Sequence, residues 1–388
     1  MTITFNRDSP LFRHRQLAPS ASIHVSPLCL GTMNFGERET ALYGECSKEE
    51  AFAIMDHFYS QGGNFFDTAN SYQHGQSEEW IGEWMAKHDN RDDIVLATKY
   101  TMNFHRNRKD KIISNYVGNG AKSLKLSLDA SLKNLRTMYV DILYIHWWDA
   151  ATSIPELMHS LNDVVTSGKV LYLGVSDTPA WVVSMANEYA RNHGLRQFSV
   201  YQGAWNASMR DFERDIIPMA SNQGMALCPY GVLGSGRFQT EEGFKARAQH
   251  NPGRQIANAR LTDRDREVCK VLETIGKEKD AGLFQIALAY VMHKAPYVFP
   301  LVGQRRVSHL KDSIAGLSVT LTEEDIDRIE ASYDFDVGFP HTFLNGAMFG
   351  TARRKQIKGP GDVALYRSTG TFDWVEPPKP IKPYGSGR

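Results

Sequence analysis

Five polar side chains stand where an apolar run gives out. Asp67 follows NFF, Lys99 follows IVLAT, His146 follows DILYI, and Ser176 and Asp177 follow VLYLGV. Tyr72 comes a few residues after Asp67, in DTANSYQHGQSEEWIG. Taken singly, such residues read as helix caps, turns or satisfied hydrogen bonders. As a set they suit one reaction. Reducing a carbonyl takes a hydride, which a nicotinamide can supply, and a proton for the developing alkoxide. A free tyrosine, with a pKa of about 10, exchanges protons poorly near neutrality. A lysine cation beside it lowers that pKa, and a carboxylate fixes the lysine. A histidine within reach orients the carbonyl or shares the proton work.

These residues converge only if the apolar runs are parallel strands with their ends on one rim. Candidate strands fall at 27–31, 64–67, 94–99, 141–146, 171–176, 198–202, 225–229 and 298–303, alternating with helical patterns. Runs such as LATK, DILYI and VLYLGV are apolar almost throughout, as strands buried on both faces are. Eight βα units predict a (β/α)₈ TIM barrel. Helix starts are legible. Ser47 precedes Glu50 in capping-box spacing, Ser153 precedes Pro155 and Glu156, and Thr322 precedes three acids. Segments 100–114, 231–260 and 336–388 lack periodicity, giving long loops after the third and seventh barrel strands and an extended tail. The last dozen residues, rich in Pro and Gly, are expected to be mobile. The whole chain, 1–388, is read as one domain, with the barrel over residues 22–335.

Composition removes other classes. Lys+Arg and Asp+Glu both number 44, so no electrostatic footprint for nucleic acid or an anionic membrane exists. The charge-balanced surface is compatible with a monomer or a dimer. Cys29, Cys46, Cys228 and Cys269 show no C-x-x-C spacing, which argues against a metal site and for a reducing compartment. The N-terminus lacks an apolar signal core and no run is long enough to span a membrane, so a cytoplasmic protein is expected.

D-T-A-x-x-Y followed by G-x-S-E-x-x-I-G, a strand-end Lys and then I-H-W resembles the aldo-keto reductase superfamily. That resemblance makes Asp67, Tyr72, Lys99 and His146 the catalytic tetrad, with Tyr72 as proton donor, and implies NADP(H) as cofactor. It places Gly31, Thr32 and Met33 under the nicotinamide ribose, Ser176, Asp177 and Gln202 at the carboxamide, and Tyr230 against the ring. Asp177 stands where many members have Asn. Leu233, Gly234, Ser235, Gly236 and Arg237 are implied at the pyrophosphate. Gln304, Arg305, His309 and Ser313 are implied at the adenosine and its 2′-phosphate, with Ser313 replacing the usual Asn. An arginine there favours NADP over NAD, because a 2′-phosphate calls for charge-assisted donors. Tyr100, Trp147, Trp148 and Trp205, with Phe104, would line an aromatic substrate mouth.

The runs HWWDAATSIPELMHSL, YLGVSDTPAWVVSMAN and YQGAWNASMRDFERDIIPMA are similar to the fungal aryl-alcohol dehydrogenase and norsolorinic acid reductase subgroup. That likeness implies a small aromatic carbonyl substrate, up to the side-chain ketone of norsolorinic acid, which is reduced to averantin in aflatoxin-type biosynthesis. A broad aryl-alcohol dehydrogenase is the alternative. A redox-sensing regulatory subunit, as in potassium-channel β subunits of this fold, is a third reading, disfavoured by the full tetrad.

Overall fold

The computed structural model describes residues 3–105, 108–250, 261–350, 356–370 and 373–384, without the side chains of 246–250. Two short strands come first, β1 (Arg15–Ala18) and β2 (Ala21–Val25), paired antiparallel. Eight parallel strands follow: β3 (Cys29–Gly31), β4 (Phe65–Asp67), β5 (Val95–Tyr100), β6 (Val140–Ile145), β7 (Val170–Ser176), β8 (Phe198–Ala204), β9 (Ala226–Tyr230) and β10 (Leu301–Gly303). Their order is β10-β3-β4-β5-β6-β7-β8-β9. The gap between β9 and β10 is nearly closed by a parallel bridge from Leu227 to Val298, in which Phe299 N–H donates to Leu227 O at 2.8 Å. Helices alternate with the strands, giving the (β/α)₈ barrel. β10 is shorter than its sequence run because Tyr297 has φ +55° and Pro300 has no N–H to donate.

Period-two alternation separates two apolar layers. Cys29, Phe65, Val95, Ala97, Ile142, Tyr144, Val200, Ala226 and Cys228 fill the barrel interior. Leu30, Phe66, Leu96, Leu143, Ile145 and Val175 face the ring of helices. The β1–β2 hairpin, unforeseen in the sequence reading, packs Leu17, Ala18, Ala21 and Val25 onto the interior cluster and plugs one end of the barrel.

The helix starts form as their sequences specify. Ser47 Oγ caps Lys48–Ser60, Ser153 Oγ caps Ile154–Thr166, and Thr322 and Asp325 close a full capping box at Glu323–Glu330. At Ser47 the box is only half made, because the Glu50 carboxylate accepts Val307 N–H instead.

The long segments carry more structure than their aperiodicity suggested. A 3₁₀ turn at Gly234–Gly236 and a helix at Glu241–His250 lie in the segment after β9, and 251–260 fall outside the described residues. In the tail, Lys358 Nζ donates to Lys294 O, Arg13 Nη2 donates to Lys382 O, and Arg13 lies 3.6 Å from the Tyr384 ring centroid. The tail thus touches the barrel as far as Tyr384, and 385–388 lie outside the described residues. Among the described residues no helix is long and apolar enough to cross a membrane, and no cluster could hold a metal ion.

Candidate active site

The alternation that fills the barrel also arms its mouth. Counting inward positions by twos from the interior cluster gives Asp67 on β4, Lys99 on β5, His146 just past β6, Ser176 on β7, Gln202 on β8 and Tyr230 on β9. Six polar or aromatic groups therefore converge at the C-terminal ends of successive strands, where barrels of this kind carry their chemistry.

Lys99 is the hub. Its ammonium donates to Asp67 Oδ1 at 2.5 Å, to Thr68 O at 2.8 Å and to Tyr72 Oη at 3.1 Å, which spends all three N–H groups. Asp67 is held in turn. Gln202 Nε2 donates to its other oxygen at 2.9 Å, and Thr32 donates to its backbone carbonyl through both N–H and hydroxyl. The His146 ring meets the Tyr72 ring edge-on, with centroids 5.7 Å apart. Asp67 and Lys99 are buried, while Tyr72 and His146 keep partial exposure at the mouth.

Each charge state has a cause. Burial works against the Lys99 cation, but Asp67 and Tyr72 more than offset it, so the ammonium titrates above its ordinary range. Burial raises Tyr72, and Lys99 pulls the other way without prevailing. The expected lysine effect is present, but enclosure outweighs it, so the phenol stays protonated near neutrality. Burial, with help from Lys99, holds His146 well below the usual imidazole range, so it is neutral; its Nδ1 is buried without a partner among the described residues. Burial likewise raises the Asp67 carboxyl, against Lys99 and Gln202.

The residues assigned by resemblance to the cofactor divide into two groups. Ser176 and Gln202 are register partners across β7 and β8, and Ser176 Oγ is buried with no partner among the described residues. Tyr230 is 36% exposed, and its hydroxyl donates to Asp177 at 3.2 Å. Asp177 has φ +40°, and burial raises its carboxyl to about 6, with Tyr230 and Lys99 opposing. Gly31 lies beside Gly303 in register, with Met33 partly exposed just beyond. Gly231, Gly234, Ser235 and Gly236 all take positive φ, so the pyrophosphate candidates form a tight left-handed turn. Leu233 packs on the helical layer, and Arg237 pairs with Asp265 at 3.5 Å.

Some assignments need refining. Thr32 is fully buried, its hydroxyl shared between Asp67 O and Ser77 Oγ, so its side chain supports Asp67 and only its backbone is left for the implied place under a ribose. Ser313 is buried, accepts from Gln304 Nε2 at 2.8 Å and donates to His309 O at 3.2 Å, so its hydroxyl proton is already spent within the protein. The Val307 amide at the start of Val307–Ala315 is already taken by Glu50, so that helix end has one N–H fewer to offer an anion. Arg305 lies half-buried against Gly44, and His309 is exposed.

The aromatic mouth shrinks as well. Lys99 points inward, so Tyr100 must point outward; it is 1% exposed in the helical layer and donates to Asn119 O. Trp205 is fully buried, stacked on Phe212 at 5.6 Å, with its indole N–H on Glu213. Trp148 packs partly buried on the same layer. Trp147 remains beside His146, partly exposed, its indole N–H on Met102 Sδ at 3.0 Å. Phe104 stacks in a cluster with His105 and Tyr116. Sequence reasoning missed Asn119, Thr101 and Asp149, whose side chains tie these loops together, and Tyr43, close enough to Tyr72 to act on its charge. Nothing in local patterning singles them out.

A family model described as "Aldo/keto reductase family" matches residues 27–334, most of the chain. The chain therefore belongs to the aldo/keto reductase family, and it is an oxidoreductase. It is 63% identical over 372 residues to norsolorinic acid reductase B of Dothistroma septosporum, covering 96% of this chain and 94% of the relative. A second norsolorinic acid reductase B, from Aspergillus parasiticus, is 59% identical over 375 residues, covering 96% and 98%. An aryl-alcohol dehydrogenase of Pestalotiopsis microspora is 52% identical over 377 residues, covering 97% and 94%.

Proposed function

We propose that this chain reduces aromatic ketones and aldehydes with NADPH, and that its substrate is the side-chain ketone of norsolorinic acid, giving averantin. The observation that carries the chemistry is the Lys99 ammonium joined at once to Asp67, Thr68 O and the Tyr72 hydroxyl beside a neutral His146. The substrate follows the names of the two reductase B relatives.

The mouth suits a nicotinamide nucleotide. Ser176 Oγ, buried and unpartnered among the described residues, with Gln202 alongside, offers polar groups for a carboxamide, and the half-open Tyr230 ring offers a stacking face. When bound, the nucleotide supplies hydride to the carbonyl carbon. Tyr72 gives its proton to the carbonyl oxygen as negative charge develops there. Lys99 stabilises the phenolate left behind and Asp67 keeps Lys99 in place. His146, neutral, orients the carbonyl and adds no proton of its own. Arg305 and His309 are assigned to the adenosine end, with Arg305 favouring a 2′-phosphate. All four cysteines are free and buried, which supports a reducing compartment such as the cytoplasm.

A broad aryl-alcohol dehydrogenase is the second reading, favoured by the Pestalotiopsis relative. Comparing kcat/KM for norsolorinic acid, a substituted benzaldehyde and glyceraldehyde at saturating NADPH separates them. With Trp147 as the main aromatic wall, one stacking contact of roughly 0.5–1.5 kcal/mol gives the polycyclic ketone up to about tenfold over glyceraldehyde. Preference for the benzaldehyde selects the second reading, and preference for glyceraldehyde overturns the aromatic pocket altogether.

A further inference from the structure

The loops after β5 and β6 are joined by a buried polar knot. Asn119, fully buried, spends every polar group it has. Its N–H donates to Asp149 Oδ2 at 2.7 Å and its side-chain oxygen accepts Asp149 N–H at 2.9 Å. Its side-chain nitrogen donates to Thr101 Oγ1 at 2.9 Å and to Trp147 O at 3.0 Å, and its carbonyl accepts the Tyr100 hydroxyl at 3.0 Å. Asp149 is anchored further by the amides of Ala151 and Thr152 and by the Thr152 hydroxyl.

Thr101 is the unusual member. It is fully buried and has φ +92°, a conformation a β-branched side chain reaches only under strain. Glycine would adopt it freely, but glycine has no hydroxyl. That oxygen also accepts the backbone N–H of His146 at 3.1 Å, sharing it with Tyr100 O at 3.2 Å. One strained hydroxyl therefore links Asn119 to the strand end that carries His146, while Asn119 holds the next carbonyl, that of Trp147.

We propose that Thr101, with Asn119 and Asp149, is a positioning device that sets where His146 and Trp147 meet the substrate. This rests on the reductase reading above and extends it to residues that touch neither substrate nor cofactor. Since these contacts fix the backbone at His146, their loss misplaces the carbonyl partner while leaving Lys99, Ser176 and Arg305 where they are. Misplacement by about an ångström can cost on the order of 10²-fold in rate.

The test uses Thr101→Val, which keeps the branched shape and the strain but loses the acceptor, and Thr101→Ser, which keeps the acceptor. With an aryl aldehyde, Thr101→Val is expected to lower kcat/KM by roughly tenfold or more. Its NADPH affinity, read by tryptophan fluorescence, stays within about twofold of wild type, and Thr101→Ser recovers most of the activity. In a His146→Ala background the further loss from Thr101→Val shrinks to the part that acts through Trp147, as it must if Thr101 acts through His146. Should Thr101→Val fail to fold, Asp149→Asn carries the same test and shows the same split between turnover and NADPH binding. Turnover within about threefold of wild type in a folded Thr101→Val, or equal losses in turnover and NADPH affinity, overturns the proposal. A wild-type protein that binds NADPH but reduces no aryl carbonyl overturns the reductase reading itself, a distinguishable result.

Discussion

Tyr72 illustrates how much a residue's role depends on what encloses it. The lysine beside it pulls its proton affinity down, yet burial pulls harder in the other direction. The net effect keeps the phenol protonated near neutrality, which suits giving a proton away. Tyr72→Phe is therefore expected to cut carbonyl reduction by at least about 10²-fold, typical of general acid catalysis, with NADPH affinity largely kept. Activity within about threefold of wild type would remove Tyr72 from the chemistry. Lys99→Met withdraws the one cation that opposes burial, so the pKa of Tyr72 rises further. In the alcohol-oxidation direction, where the phenolate must accept a proton, the ascending limb of the pH–rate profile then moves to higher pH; an unmoved limb would mean that Lys99 does not act on Tyr72. Asp67, Lys99 and His146 were legible in sequence because strand ends announce themselves, an apolar run stopping on a polar residue, while Tyr72, beyond its strand, drew its place from the D-T-A-x-x-Y resemblance. Asn119 and Thr101 gave no such signal. Asn119's partners lie 18 and more residues away in sequence, and no local periodicity encodes a bond of that reach.

Strand period is the element-scale rule that corrected the substrate mouth. With Lys99 inward, its neighbour Tyr100 must face the helices, and the sequence held that information all along. Trp205 was harder to place, since its burial depends on Phe212 and Glu213 folding back over it from the segment after β8. The hairpin β1–β2 went unread because its apolar positions acquire meaning only as the floor of a closed barrel. At the opposite end, the helix after β10 and the loop after β3 meet at Arg305. Gly44, at φ +79°, leaves the space its guanidinium occupies, and Glu50 takes the first amide of the helix. With that amide spent, we expect the arginine to carry much of the discrimination for a 2′-phosphate. Arg305→Ala should weaken NADPH by roughly 1.5–3 kcal/mol, as loss of a charge-assisted bond does, and NADH far less. Fluorescence titration of both nucleotides reads this directly, and equal losses would put the 2′-phosphate elsewhere.

Across the whole molecule, one buried ionic cluster joins segments that the sequence keeps far apart. Arg210 and Glu213 come from the segment after β8, Tyr290 and Lys294 from the helix Leu283–Lys294, and Glu330 from the end of Glu323–Glu330. Arg210 bridges Glu213 at 2.8 Å and Glu330 at 2.9 Å; Lys294 reaches Glu213 at 3.2 Å and also pairs with Glu330. Glu213 further accepts from the Trp205 indole and the Tyr290 hydroxyl. Burial alone would raise the Glu213 carboxyl, but Lys294 and Arg210 hold it down to about 2. The sign follows from linkage. A carboxyl whose folded pKa lies below its unfolded value stabilises the fold fully above the unfolded value. That contribution is lost as pH falls toward the folded one. Here the window runs from the ordinary glutamate range down to about 2. Glu213→Gln leaves two buried cations short of an anion, so at neutral pH it should cost roughly 3–5 kcal/mol, the scale of a broken buried pair. Denaturant unfolding of wild type and variant at pH 7 and again near pH 3 is the measurement. The gap between them should narrow at the lower pH, because the unfolded wild type binds a proton there that the folded one does not. A gap that stays constant would mean that the Glu213 carboxyl titrates alike in the folded and unfolded chain, and a gap that widens would mean that it is not ionised in the folded barrel; either result would leave hydrogen bonding and packing, not charge, to hold these segments together.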